Sequence, residues 1–123
     1  MKRILLLSAF SLAAFSIAWA EQRNLQFLQR LRDRGLGDMA VTYLQQIEAA
    51  GAIPSDLAEV FDLEYARCLI ADADSTANVD RASQNQIRAR ARLEKFLNEH
   101  AEHPDAALAH PAIARAMARG YPD

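Results

Sequence analysis

From Leu36 to Ile47 the residues Leu36, Met39, Ala40, Tyr43, Leu44 and Ile47 fall at i, i+3, i+4, i+7, i+8 and i+11. An α-helix brings these positions to one side, whereas a strand would scatter them over both of its faces. A chain with such a stripe must bury it against something else, and its flanks supply more helices. Upstream, Asn24 to Arg34 places Leu25, Leu28 and Leu31 at spacings of three, with Phe27 joining Leu31 at four. Gly35 offers a left-handed C-cap, Gly37 loosens the following turn, and Gly51 stops the helix predicted over 38–50.

Downstream, Pro54-Ser55-Asp56 opens a third helix, with Ser55 as N-cap and with Asp56 and Glu59 complementing the dipole. Leu57, Val60, Phe61, Leu63, Ala66, Leu69 and Ile70 spread widely round it, which predicts packing on more than one side. It fades over Asp72 to Thr76. A fourth helix runs from Asp80 to His100 with Ala82, Ala89, Leu93, Phe96, Leu97 and His100 on its inner stripe. Arg90–Glu94 and Lys95–Glu99 are i, i+4 pairs on its outer side. Alternating β-branched runs and hairpin dipeptides are absent from the sequence. The expected fold is all-α, two antiparallel helical hairpins with short connections. After Pro104 large apolar groups are sparse (Leu108, Ile113 and Met117), so a loosely packed C-terminal tail is expected over 105–123.

The N-terminus points to export. Lys2 and Arg3 precede an apolar run from Ile4 to Ala18, and Ala18-Trp19-Ala20 ends it with small residues where signal peptidase reads. The run is shorter than the roughly 20 residues that span a bilayer. The expectation is a signal peptide over 1–20, cleaved between Ala20 and Glu21, and a periplasmic or secreted product without membrane insertion. Removing twenty of the 123 residues leaves 103, enough for one domain. The signal holds two of the 14 basic residues and none of the 16 acidic ones, so the mature charge is −4. An acidic domain argues against binding to nucleic acid, where Lys and Arg must neutralise phosphates. Cys68 is the only cysteine and lies in an apolar stretch, so it reads as a buried thiol and stability must come from helix packing.

Laid side by side, the first two helices resemble a tetratricopeptide-type hairpin, a unit of about 34 residues. The packing positions of its first helix match Phe27, Leu28 and Leu31, its turn falls on Gly35, and its small residue at the closest helix approach is Ala40. Leu44 and Ile47 take the later packing positions. The stretch from Leu93 to His100 is similar to repeat endings in bacterial envelope tetratricopeptide proteins, such as the outer-membrane assembly lipoprotein and cell-division coordinator families. Ala101 stands where those families carry proline, and the connection around residues 72–80 is longer than a standard one. The resemblance spans 24–104, within an expected domain of 21–104. It implies a groove lined by the first helix of each hairpin, with Gln22, Gln29 and Arg32 as partner contacts.

Catalytic, cofactor and metal constellations are weak by comparison. His100, His103 and His110 cluster late, but the first pair sits at a helix end, where the dipole favours histidine. Asp72, Asp74 and Asp80 begin like a calcium loop, yet Ala77 and Ser83 occupy the positions that need Gly and Glu, so a solvated turn is expected. Arg81, Arg88 and Arg92 share a helix face, read as a solvated outer surface. No nucleophile has a legible base and orienting partner. The expected function is an exported adaptor or scaffold that binds an envelope protein or peptide, without enzymatic activity. The alternative is a capping or self-associating segment of a larger assembly, including a homodimer through an exposed repeat edge.

Overall fold

The computed structural model describes residues 23–111. The segment 1–20 expected to be a signal peptide, Gln22, Ile113 and Met117 lie outside that range. The described residues form helices and turns, with no strand among them. Helices α1 (Arg23–Asp33), α2 (Gly37–Ala49), α3 (Phe61–Ser75) and α4 (Val79–Glu99) follow one another, and residues 106–111 are helical again. Helix α3 is central: it packs against α4, α2 and α1, and Phe61 through Ala66 are all buried. The core joins Leu28 and Leu31 to Ala40 and Leu44, Leu63, Tyr65 and Leu69, and Ala89, Leu93 and Phe96.

Two glycines terminate helices as the sequence anticipates. Gly35 and Gly51 hold φ of +72° and +63°. The Leu36 amide reaches back to the Leu31 carbonyl at 2.8 Å, and the Ala52 amide to that of Ile47 at 2.9 Å, so each glycine closes a Schellman turn. Gly37 differs from expectation. It is the first residue of α2, buried against the backbone of α3 at Ala71 and Asp72, so it sets a close helix approach rather than loosening a turn. Ala40 is also fully buried.

The third helix starts later than its sequence suggests. Residues 55–60 form successive turns, α3 proper begins at Phe61, and its N-cap, Val60, offers no side-chain bond. Asp56 caps a different helix: its carboxylate accepts from the backbone amide of Asn24 at 3.1 Å and from Asn24 Nδ2 at 3.0 Å. It thereby satisfies a free N–H in the first turn of α1. Tyr43 Oη then donates to Asn24 Oδ1 at 2.9 Å, tying α2 to the same point. Asn78 caps α4 by accepting from the Arg81 amide at 3.0 Å.

The segment after Pro104 docks through small residues. Ala106 and Ala109 are buried in the core while Leu108 is half-exposed, so the described part of the expected loose tail is packed. A helix carrying alanines on its inner side comes close enough to its neighbours for a Leu to be held at the rim.

Candidate functional site

Burying α3 on nearly every side also buries its acids: Asp62, Glu64 and Asp72 are 8%, 5% and 4% exposed. Carboxylates removed from water this far must be paired, and arginines from the surrounding helices pair them. Asp72 accepts from Arg81 Nε at 3.0 Å, from Arg81 Nη2 at 2.8 Å and from Asn85 Nδ2 at 2.6 Å. Asp62 accepts from Arg92 Nη1 at 2.9 Å and faces Lys95 Nζ at 3.5 Å. Arg92 also forks onto Glu48 of α2 at 2.6 and 2.7 Å and stacks 4.2 Å above the Tyr65 ring. These hydrogen bonds outweigh partial burial and hold the Glu48 carboxyl below the usual carboxylate range, while they raise Arg92 above its ordinary value.

The arginine row on α4 therefore corrects the sequence reading. Arg81 and Arg88 are exposed, as expected of an outer face, but their guanidiniums turn toward α3, where Arg81 meets Asp72 and Arg88 meets Tyr65 Oη at 3.1 Å; Arg92 is half-buried between Glu48 and Asp62. Asp72, placed by sequence in a solvated turn, is a buried helical residue. Lys95 faces Asp62 rather than Glu99, whereas Arg90–Glu94 forms as expected at 2.9 Å.

Glu64 is shared by Arg32 of α1 and Arg67 of α3, the latter at 3.0 Å. Arg32 Nη1 also lies 3.7 Å from Cys68 Sγ. Burial opposes the charge on Arg32, but Glu64 outweighs it and holds the guanidinium above its ordinary pKa. Cys68 is fully buried, and burial pushes its thiol up to about 11. The two arginines form one wall of an open groove of about 430 Å³, which Ile70, Ala71, Asp74, Leu108 and Pro111 also line. This is where the inner sides of α1 and α3 meet the 106–111 helix.

A second, shallower hollow of about 260 Å³ opens on the other side of α1, between α1 and α2. Phe27, Leu31, Met39 and Tyr43 form it, with Asp38 and Gln46 at its margin. Phe27 meets Tyr43 edge-on at 5.4 Å, yet Phe27 and Met39 remain 45% and 55% exposed. The sequence assigned both to packing positions; the structure leaves them on an open edge.

Of the contacts expected from the repeat pattern, Gln22 lies outside the described residues and Gln29 is exposed on α1 beyond both hollows. Arg32 reaches the larger groove, but its Nη1 is engaged by Glu64. Arg67 was not singled out from sequence, and Ile70 and Leu108 stood out only as apolar groups, since a groove wall needs the third and last helices placed together. His100 and His103 share the Phe96 ring, and His103 Nδ1 accepts from the Asp105 amide at 3.1 Å, while His110 is exposed on the 106–111 helix. Among the described residues, no helix is long and apolar enough to cross a membrane. Comparison of the chain with protein-family models, curated proteins and solved structures finds no match.

Proposed function

We propose that this protein is an exported helical-repeat adaptor that binds an envelope protein or peptide in the groove between α1, α3 and the 106–111 helix. The observation that carries the reading is the pair Arg32 and Arg67, both oriented by Glu64 on the wall of a groove whose other lining is apolar except for Asp74. Each uses only Nη1 for that contact, so its Nε and Nη2 donors remain for backbone carbonyls or a carboxylate of a bound segment. Apolar groups at Ile70, Ala71 and Leu108 would bury the segment's side chains. The order of packing, with α3 seated against both helices of the preceding hairpin, is what a tetratricopeptide-like stack requires.

The test combines export with binding. Protein recovered from the periplasm is expected to begin at Glu21 by N-terminal sequencing. An Arg67→Ala/Leu108→Ala variant, which alters the groove alone, keeps Arg32 in place to hold Glu64, so its melting temperature is expected to stay within a few degrees of wild type. In quantitative pull-downs from periplasmic extract it loses the wild-type partners; recovery of the same partners in the same amounts overturns the groove. The open apolar edge at Phe27 and Met39 favours a second reading, a stacking or capping segment of a larger assembly.

A further inference from the structure

We propose that the α1–α2 edge is a second docking surface, built for one amphipathic helix of a partner that carries acidic residues along one side. Among the described residues Arg32, Arg67, Arg81, Arg88, Arg90 and Arg92 each meet a carboxylate or a tyrosine hydroxyl. Arg23, Arg30 and Arg34 alone leave their guanidiniums without an ion pair or hydrogen bond, and all three are exposed. They are not scattered. Spacings of seven and four put them in one row along α1 and its C-terminal turn, and Phe27 lies four residues after Arg23 and three before Arg30. The unpaired charge therefore runs beside the apolar hollow of Phe27, Leu31, Met39 and Tyr43.

The opposite margin is different. On α2 it carries Thr42 and Gln46, which are uncharged, and Asp38, which is acidic. This asymmetry selects the occupant. A helix whose apolar stripe enters the hollow and whose acidic edge overlies α1 meets three guanidiniums on one side and polar groups on the other. A flat anionic bilayer does not fit a concave hollow and would confront Asp38. A symmetric pairing of two copies would set the arginine row of one against that of the other, a like-charge contact. The surface is distinct from the Arg32–Arg67 groove, so the two readings stand or fall separately.

The experiment uses the protein as recovered from the periplasm and a fluorescein-labelled Leu/Glu amphipathic helical peptide, followed by fluorescence anisotropy, with a Leu/Lys twin as its charge-swapped counterpart. Saturable binding of the acidic peptide is expected, weakening as salt rises. An Arg30→Glu/Arg34→Glu variant, which disrupts no ion pair, is expected to bind it about tenfold more weakly and to gain binding of the Leu/Lys peptide. That exchange separates recognition from mere stickiness. Arg67→Ala is expected to leave the affinity unchanged. The proposal is overturned if the acidic peptide fails to bind, or if both peptides bind wild type and variant alike. It is also overturned if vesicles of phosphatidylglycerol take up the protein while the peptide does not. A concentration-dependent dimer that Met39→Glu dissolves would reassign the edge to a second copy.

Discussion

Gly37→Ala tests the helix packing at its tightest point. A Cβ added at Gly37 would lie 2.5 Å from the Asp72 backbone nitrogen, 2.9 Å from its Cα and 3.0 Å from the Ala71 carbonyl carbon. Carbon contacts settle at roughly 3.5–4.0 Å, so α2 must withdraw from α3 by about 1 Å. The obstacle is backbone, and it cannot rotate away as a side chain could. Asp72 is further fixed by its bonds to Arg81 and Asn85, and α2 by fully buried Ala40 and Leu44. Overpacking of this kind costs about 1–3 kcal/mol, against which the lower chain entropy of alanine returns at most about 1 kcal/mol. The net loss of about 1–2 kcal/mol corresponds to a melting temperature roughly 5–15 °C lower for a domain of this size, read by far-UV circular dichroism. Gly35 is the control, because a Cβ there meets nothing within 4 Å and the cost is its left-handed backbone alone. Gly35→Asn is expected to recover much of what Gly35→Ala loses, since asparagine tolerates that region. Gly37→Asn is expected to be worse than Gly37→Ala. A Gly37→Ala protein as stable as wild type, or a Gly37→Asn protein more stable than it, refutes the close-approach reasoning.

Other expectations follow from the buried charges. Asp72→Ala strands Asn85 in the interior and is expected to cost about 2–3 kcal/mol in urea denaturation; Arg81→Ala costs more than Asp72→Ala only if the carboxylate, not its ligands, governs the site. Glu48 titrates below the usual carboxylate range in the folded protein, so its contribution is present above the unfolded value of about 4.3 and is lost as pH falls through the folded one. Wild type is therefore expected to exceed Glu48→Gln in urea midpoint at pH 7, the gap closing as the carboxylate protonates in acid; a constant gap contradicts this. For Cys68 the sign is opposite: burial favours the thiol, so this contribution holds below an unfolded value of about 8.5 and fades as pH rises toward about 11. A disulfide-exchange reagent at pH 8 is expected to label Cys68 promptly in denaturant and slowly in the native protein, and equal rates would place the thiol at the surface.

The larger groove was only partly legible in advance. Arg32 could be proposed from the repeat pattern, and it does reach that groove, but Glu64 as its partner could not, because the two are 32 residues apart in the chain. Phe27 and Met39 fit the apolar period as well as Leu28 and Leu44 do. A period reports which residues share a side of a helix, and not where the neighbouring helices stop covering it. The same limit explains Arg81, Arg88 and Arg92: helical spacing shows one basic row, but not the acids and the tyrosine of α3 toward which the guanidiniums turn. Past Pro104 the sequence offers Leu108 as an anchor, yet among the described residues there Ala106 and Ala109 are the buried ones. A close helix approach favours the smallest groups.

By itself the sequence determined that the chain is helical, and it placed the four main helices through local effects: the 3.6-residue apolar period, left-handed glycines at 35 and 51, and an absence of strand pairing signals. Those effects act within a few residues and need no fold to operate. Tertiary structure alone decided the rest: that Asp56 caps α1, that Gly37 touches the backbone of α3, and that the acids of α3 take arginines from α1 and α4. It also decided which apolar residues stay open. Each of these depends on two segments remote in sequence meeting in space, where desolvation makes an unpaired charge costly and contact leaves room for a hydrogen atom or for nothing more.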